Sequence, residues 1–172
     1  MARVSTRENK NIYQLTRENL KLTRETASEL LESIPPERIE KIENERSFPH
    51  PDEVLTMAEK YKKPDLCNYY CANQSPIGQE YVPEIKIKDL SQIVLEMLAS
   101  LNAMNKRKDR LIEITADGKI SDDELEDFLY IQEELERISI TVETLQLWAE
   151  KMLATGVIDE AQYEAYRSRK KT

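Results

Sequence analysis

Residues 15–61 read LTRENLKLTRETASELLESIPPERIEKIENERSFPHPDEVLTMAEKY, and the fold turns on how this stretch is cut. Ile12, Leu15, Asn19 and Leu22 recur at three- and four-residue spacing, which predicts a short amphipathic helix. Thr23 follows as a helix N-cap, opening a second helix to Leu31 with Ala27, Leu30 and Leu31 inward. Ser33-Ile34-Pro35-Pro36 breaks the chain, and proline is tolerated in a first helical turn, so Pro35-Pro36 opens a third helix with Ile39 and Ile42 on one face. Phe48-Pro49-His50-Pro51 is a second break. A fourth helix runs from Asp52 to Lys62 with Val54, Leu55, Ala58 and Tyr61 inward, and a fifth from Pro64-Asp65 to about Cys71.

Beyond this stretch the texture changes. Residues 73–88 hold Pro76, Gly78 and Pro83 with few periodic apolar positions and read as a linker, with an extended segment at 84–88. Leu90, Val94, Met97, Leu101, Met104, Lys108 and Leu111 are then spaced 4-3-4-3-4-3. Phe128, Ile131, Leu135, Ile138, Val142, Leu145, Ala149 and Met152 are spaced 3-4-3-4-3-4-3. These are two heptad seams, and between them Ala116-Asp117-Gly118-Lys119 makes a turn followed by the capping-box spacing of Ser121 and Glu124. The expectation is an antiparallel helical hairpin whose longer second arm overhangs. Ile140, Leu147 and Trp148 lie off the seam, so that arm needs a second partner, either the first domain or a second chain. Thr155-Gly156 ends the arm, and Asp159 begins a short last helix with a basic tail.

With 172 residues the chain suits one compact domain or two small ones. Charged residues make up 34% and glycine only three positions, which fits a mostly helical protein. The apolar stretch from Ile93 to Leu101 is interrupted by Glu96 and falls far short of the roughly 20 residues of a membrane span. The start shows no secretory signal, and two cysteines do not make a disulfide framework, so a cytoplasmic location is expected. The net charge of −8 argues against a bulk nucleic-acid coat. The charge is uneven: residues 1–72 carry 12 basic and 13 acidic side chains, residues 73–172 carry 13 and 20. Residues 1–22, with Arg3, Arg7, Lys10, Arg17 and Lys21 against Glu8 and Glu18, are locally basic.

Residues 113–124 have a calcium-loop outline, with Gly118, Ile120, Ser121 and Glu124 at its sixth, eighth, ninth and twelfth positions. Glu113 and Thr115 stand where the first and third ligands belong, so a turn and a cap explain the stretch and no metal site is expected. Cys67, Cys71 and His50 are one ligand short of a closed zinc site, and the cysteines read as packing residues. No catalytic set stands out, and neither enzyme activity nor a cofactor is expected.

The order and lengths of the five short helices, with Leu22-Thr23-Arg24, Ile39, Ile42-Glu43-Asn44, Pro49 and Leu55-x-x-Ala58, resemble the XRE family of phage-repressor-like helix-turn-helix DNA-binding domains. The resemblance covers residues 15–61, roughly a third of the chain. It implies that the third helix enters the major groove while the second crosses the backbone. It makes Arg24 a phosphate contact, sets Pro36, Glu37 and Lys41 where the family reads bases, places Arg38, Asn44 and Arg46 near phosphates, and makes Glu43 a structural acid. Two glycines of the family pattern are missing: one is Glu45, and the turn at Glu32-Ser33 lacks the other. Pro36 has no donor and Glu37 accepts only from a cytosine amino group, so base reading is weak.

The expected fold is therefore all-α: a five-helix repressor-like domain over 1–72, a linker over 73–88, and a hairpin with a terminal helix over 89–172. The expected function is a regulator that binds double-stranded DNA and forms a homodimer through its second half. The alternative is a protein-interaction adaptor whose helix-turn-helix is structural.

Overall fold

The computed structural model describes residues 9–116 and 118–169 and is all-α, with no strand among them. Nine helices follow in order among these residues: α1 (Ile12–Asn19), α2 (Arg24–Leu31), α3 (Pro36–Glu43), α4 (Pro51–Lys60), α5 (Asp65–Gln74), α6 (Pro76–Tyr81), α7 (Leu90–Ile114), α8 (Leu125–Ala154) and α9 (Glu160–Arg169). The chain divides into two compact units, Met1–Glu84 with Glu150–Thr172, and Ile85–Ala149. The sequence reading had placed the last stretch with the second half. At 30 residues α8 outlasts the 25 of α7, and residues from Glu150 onward group with the first unit.

The first unit starts at a cap. Asn11 Oδ1 accepts the Gln14 N–H that opens α1, and Asn11 Nδ2 donates to the Ile42 carbonyl at 2.8 Å, tying α1 to the end of α3. Thr23 caps α2 by accepting from Thr26 N–H, as its place in the sequence predicts. Pro35 and Pro36 open α3. The core gathers Tyr13, Ala27, Leu31, Ile39, Ile42, Val54, Met57, Ala58, Tyr61 and Leu66.

Three inward assignments change. The buried residues of α1 are Tyr13, Gln14, Thr16 and Arg17, while Leu15 is exposed. Leu30 and Leu55 are also exposed, and Met57 takes the place expected of Leu55. Helices of eight to ten residues present only two to four inward positions each. A shift of one position is then settled by neighbours, not by the helix's own periodicity. Tyr13 wins on α1 because its ring packs edge-on to Tyr69 at 6.2 Å and its hydroxyl donates to Gln74 Oε1 at 2.8 Å.

The expected linker is partly helical. α5 continues to Gln74, Ser75 caps the next helix through Gly78 N–H, and α6 packs back on α5. Gly78 is required by that approach, since a Cβ there would lie 2.0 Å from the Cys71 carbonyl oxygen. Asn68 Nδ2 then holds the Pro83 carbonyl. Pro76 and Gly78 look like breakers in the sequence, but here proline occupies a first turn and glycine a helix contact. Residues 82–89 carry no regular structure, so the extended segment expected at 84–88 is not a strand.

In the second unit, Arg107 and Arg110 near the end of α7 both bond Asp127 in the first turn of α8, at 2.6 and 2.7 Å. Arg107 also sits 4.3 Å from the Tyr130 ring centroid. The buried stripes overlap the expected seams only in part. On α7 they run through Ile93, Ser100 and Ile114, with Met97, Met104 and Leu111 half-buried. On α8 they run through Ile131, Glu134, Thr141, Thr144 and Leu147, with Phe128, Ile138 and Leu145 of the expected seam half-buried. Leu90, Val94, Leu101, Leu135 and Val142, all assigned to seams, are exposed. Polar groups survive on the inner stripe because they are satisfied locally. Thr141 and Thr144 donate back to the carbonyls of Arg137 and Ile140, and Glu134 pairs with Arg137.

Candidate nucleic-acid interface

The expected DNA-facing helix is α3. Its inner side buries Ile39, Ile42 and Glu43, leaving Glu37 and Lys41 exposed and Pro36, Arg38, Glu40 and Asn44 half-exposed. What positions it is an ionic knot. Glu43 is 1% exposed. Its carboxylate accepts from Arg17 Nη2 at 3.0 Å and from Arg24 Nε at 2.9 Å, so one acid on α3 holds both α1 and α2. Arg17 Nη1 further donates to the Leu22 carbonyl, bracing the α1–α2 turn. Burial alone would push the Arg17 guanidinium down, but the Glu43 hydrogen bonds and charge outweigh it and hold it above its ordinary value. Burial, reinforced by the Glu43 charge, pushes the nearby Tyr61 hydroxyl up to about 12. Glu43 thus has the structural role the resemblance assigned to it.

The sequence reading missed Arg17, which it counted only among the basic residues of the amino-terminal end. The signal was available: an acid that must be buried needs a buried cation, and Arg17 lies one helical turn after the core residue Tyr13.

The predicted contact residues separate into two groups. Arg24 is bonded to Glu43 and lies 4.0 Å from Glu40. Arg38, assigned to a phosphate, is 20% exposed and turned inward instead. It donates to both oxygens of Glu53 at 2.7 and 2.6 Å, to Ser47 Oγ and to the Phe48 carbonyl. Four of its five N–H donors are therefore satisfied within the unit. Glu53 also accepts the His50 N–H, so the pair clamps the start of α4 to α3. Burial would raise the Glu53 carboxyl, but Arg38 and the His50 N–H hold it below its ordinary value. Asn44 caps α3 and donates to Glu40 Oε1.

Lys41 and Arg46 remain, exposed and without an ion pair among the described residues. Lys10 is bonded to Glu18, and Arg3 and Arg7, expected to support DNA binding, lie outside the described residues, as does the end of the basic tail. Glu32 and Glu45, where the family pattern carries glycine, have φ of 59° and 57°, the left-handed region that favours glycine.

The other candidates do not assemble. Glu124 accepts from both the N–H and the hydroxyl of Ser121, and Glu113 pairs with Arg110, while Asp117 lies outside the described residues. Cys67 and Cys71 are free and half-buried, and burial pushes the Cys67 thiol up. No group of three or more metal-ligating side chains forms among the described residues, and no helix there is long and apolar enough to cross a membrane. Of the three residues expected at an interface, Leu147 is buried and Ile140 and Trp148 are half-buried.

No family model, curated protein or solved structure matches the chain.

Proposed function

We propose that the chain is a DNA-binding regulator in which α2 and α3 form a helix-turn-helix, α3 lies in the major groove, and α7 and α8 form a helical hairpin through which two copies associate. The observation that carries this reading is the Glu43 knot. A single buried acid fixes α3 against α1 and α2 and leaves the opposite side of α3, with Glu37 and Lys41, free to meet a groove. Affinity comes mainly from phosphates through Lys41 and Arg46, with Arg24 at the edge of the same surface, and base reading is slight. Two copies on half-sites about one DNA turn apart supply the affinity that one weakly reading helix lacks.

One observation favours a second reading. Glu37 is exposed and Glu40 half-exposed on α3, and Arg24 and Arg38, two of its expected cations, are bonded to acids. A structural helix-turn-helix serving as a protein-interaction adaptor would look the same. The two readings part in a titration of the full chain with a pool of random duplexes at low salt: the regulator binds, and the adaptor shows no binding.

A further inference from the structure

The acids of α3 are not equivalent. Glu43 is buried between Arg17 and Arg24. Glu40 lies 4.0 Å from Arg24 and accepts from Asn44 Nδ2 at 3.3 Å. Glu37 is exposed and has neither an ion pair nor a side-chain hydrogen bond among the described residues.

Its place on the helix follows from what is buried. At about 100° per residue, Ile39 and Ile42 stand roughly 200° and 140° round from Glu37, on the opposite side. Lys41 stands about 40° from Glu37 and about 6 Å further along the axis. Glu37 and Lys41 therefore share the outermost stripe of α3. With that stripe turned to the major groove, the long Lys41 side chain reaches a phosphate at the groove edge. The shorter Glu37 side chain stays over the base edges.

An ionised carboxylate accepts hydrogen bonds and donates none. Guanine presents two acceptors to the major groove, and thymine an acceptor and a methyl group. Adenine offers an amino donor, but its N7 acceptor stands beside it and repels a carboxylate. Cytosine offers an amino donor with no acceptor of its own. Over any other base Glu37 gives up its water, finds no partner and stands close to a polyanion. An acid at this position lowers affinity for most sequences and spares one, so the discrimination comes from rejection.

We infer that Glu37 is the base-selecting residue of α3, its carboxylate accepting from the N4 amino group of a cytosine and fixing one C·G pair per copy. This rests on the DNA-binding reading and gives it a sequence. Base readout stays slight, at one pair per copy, and the Lys41 and Arg46 contacts stay independent of sequence.

The test is selection of bound duplexes from a random pool at low salt, followed by sequencing, with the full chain as wild type, Glu37→Gln and Glu40→Gln. Circular dichroism follows helicity; Glu37 is exposed and glutamine nearly isosteric, so α3 is expected to be unchanged. The wild type should favour cytosine over the other bases roughly 5- to 30-fold at one position of each half-site. In Glu37→Gln the amide both donates and accepts and so suits adenine N6 and N7. The preference at that position should move to adenine, and a larger share of the pool should bind. Glu40→Gln removes the same charge from the same helix and should leave the cytosine preference in place. Duplex binding by the wild type without a cytosine preference, a cytosine preference kept in Glu37→Gln, or one lost equally in Glu40→Gln would each overturn the inference and leave the DNA-binding reading standing. No duplex binding by the wild type would overturn both.

Discussion

Arg17 on α1 and Glu43 on α3 form a two-pronged ion pair that is almost wholly buried, with Arg17 Nη2 3.0 Å from one carboxylate oxygen and Nε on the other. Arg24 adds a third bond. The pair joins the first helix to the third across 26 residues of chain.

Removing one partner leaves the other buried without compensation. Glu43→Ala is therefore expected to destabilise the protein by about 3–5 kcal/mol, whereas Arg17→Met/Glu43→Leu recovers most of the loss. Urea unfolding of the single and double variants measures both. A single variant within about 1 kcal/mol of wild type would show that the knot does not hold the domain together.

The Arg38–Glu53 clamp has a different signature, in pH. Glu53 titrates below its ordinary value of 4.5 because Arg38 and the His50 N–H bond its charged form. The clamp's contribution is present in full above that ordinary value and is lost as pH falls through the lower, folded-state value. Arg38→Ala should cost about 2 kcal/mol at pH 7. The gap from wild type should close on acidification below pH 4.5. Chemical denaturation at stepped pH measures the gap, and one that stayed constant into acid would remove Glu53 as its source.

Among the described residues, four non-glycine residues have positive φ: Lys21, Glu32, Glu45 and Lys62. Glycine relieves the backbone strain at such a site but gains freedom when unfolded, so the net gain is about 0.5–1 kcal/mol. Glu45→Gly is expected to raise the melting temperature by a few degrees. A fall would mean that the Glu45 side chain makes a compensating contact.

Gly78→Ala puts a methyl group onto the Cys71 carbonyl and should separate α6 from α5 at a cost of roughly 1–3 kcal/mol. Faster amide exchange across 75–81 than in wild type is the expected observation. Unchanged exchange would show that the helices slide apart freely.

Most of this architecture was legible from local signals. Thr23 as a cap, Pro35-Pro36 at a helix start, and Ile39 and Ile42 inward follow from short-range chemistry, and each is found in place. The exposure of some seam positions on α7 and α8 was not legible. Their apolar arcs are wider than one partner helix covers, so the heptad that collects the most leucines differs from the stripe that is buried. Leu135 and Val142 score better than Glu134 and Thr141, yet the latter face inward. At the candidate site, the resemblance marked Glu43 as a structural acid, and it is buried between two arginines. The inward turn of Arg38 was not legible, because its partner Glu53 is 15 residues away beyond two prolines.

The central claim is that α3 holds DNA through phosphate contacts from Lys41 and Arg46 and not from Arg38. The most direct measurement is the salt dependence of duplex affinity for wild type, Lys41→Ala, Arg46→Ala and Arg38→Ala, at a temperature where all four are folded. Wild-type binding should fall with a log–log slope of about −0.9 per phosphate neutralised. Lys41→Ala and Arg46→Ala should each flatten that slope by roughly one unit across all sequences, while Arg38→Ala leaves it unchanged. No duplex binding by the wild type at low salt, or a slope flattened only by Arg38→Ala, would contradict the account.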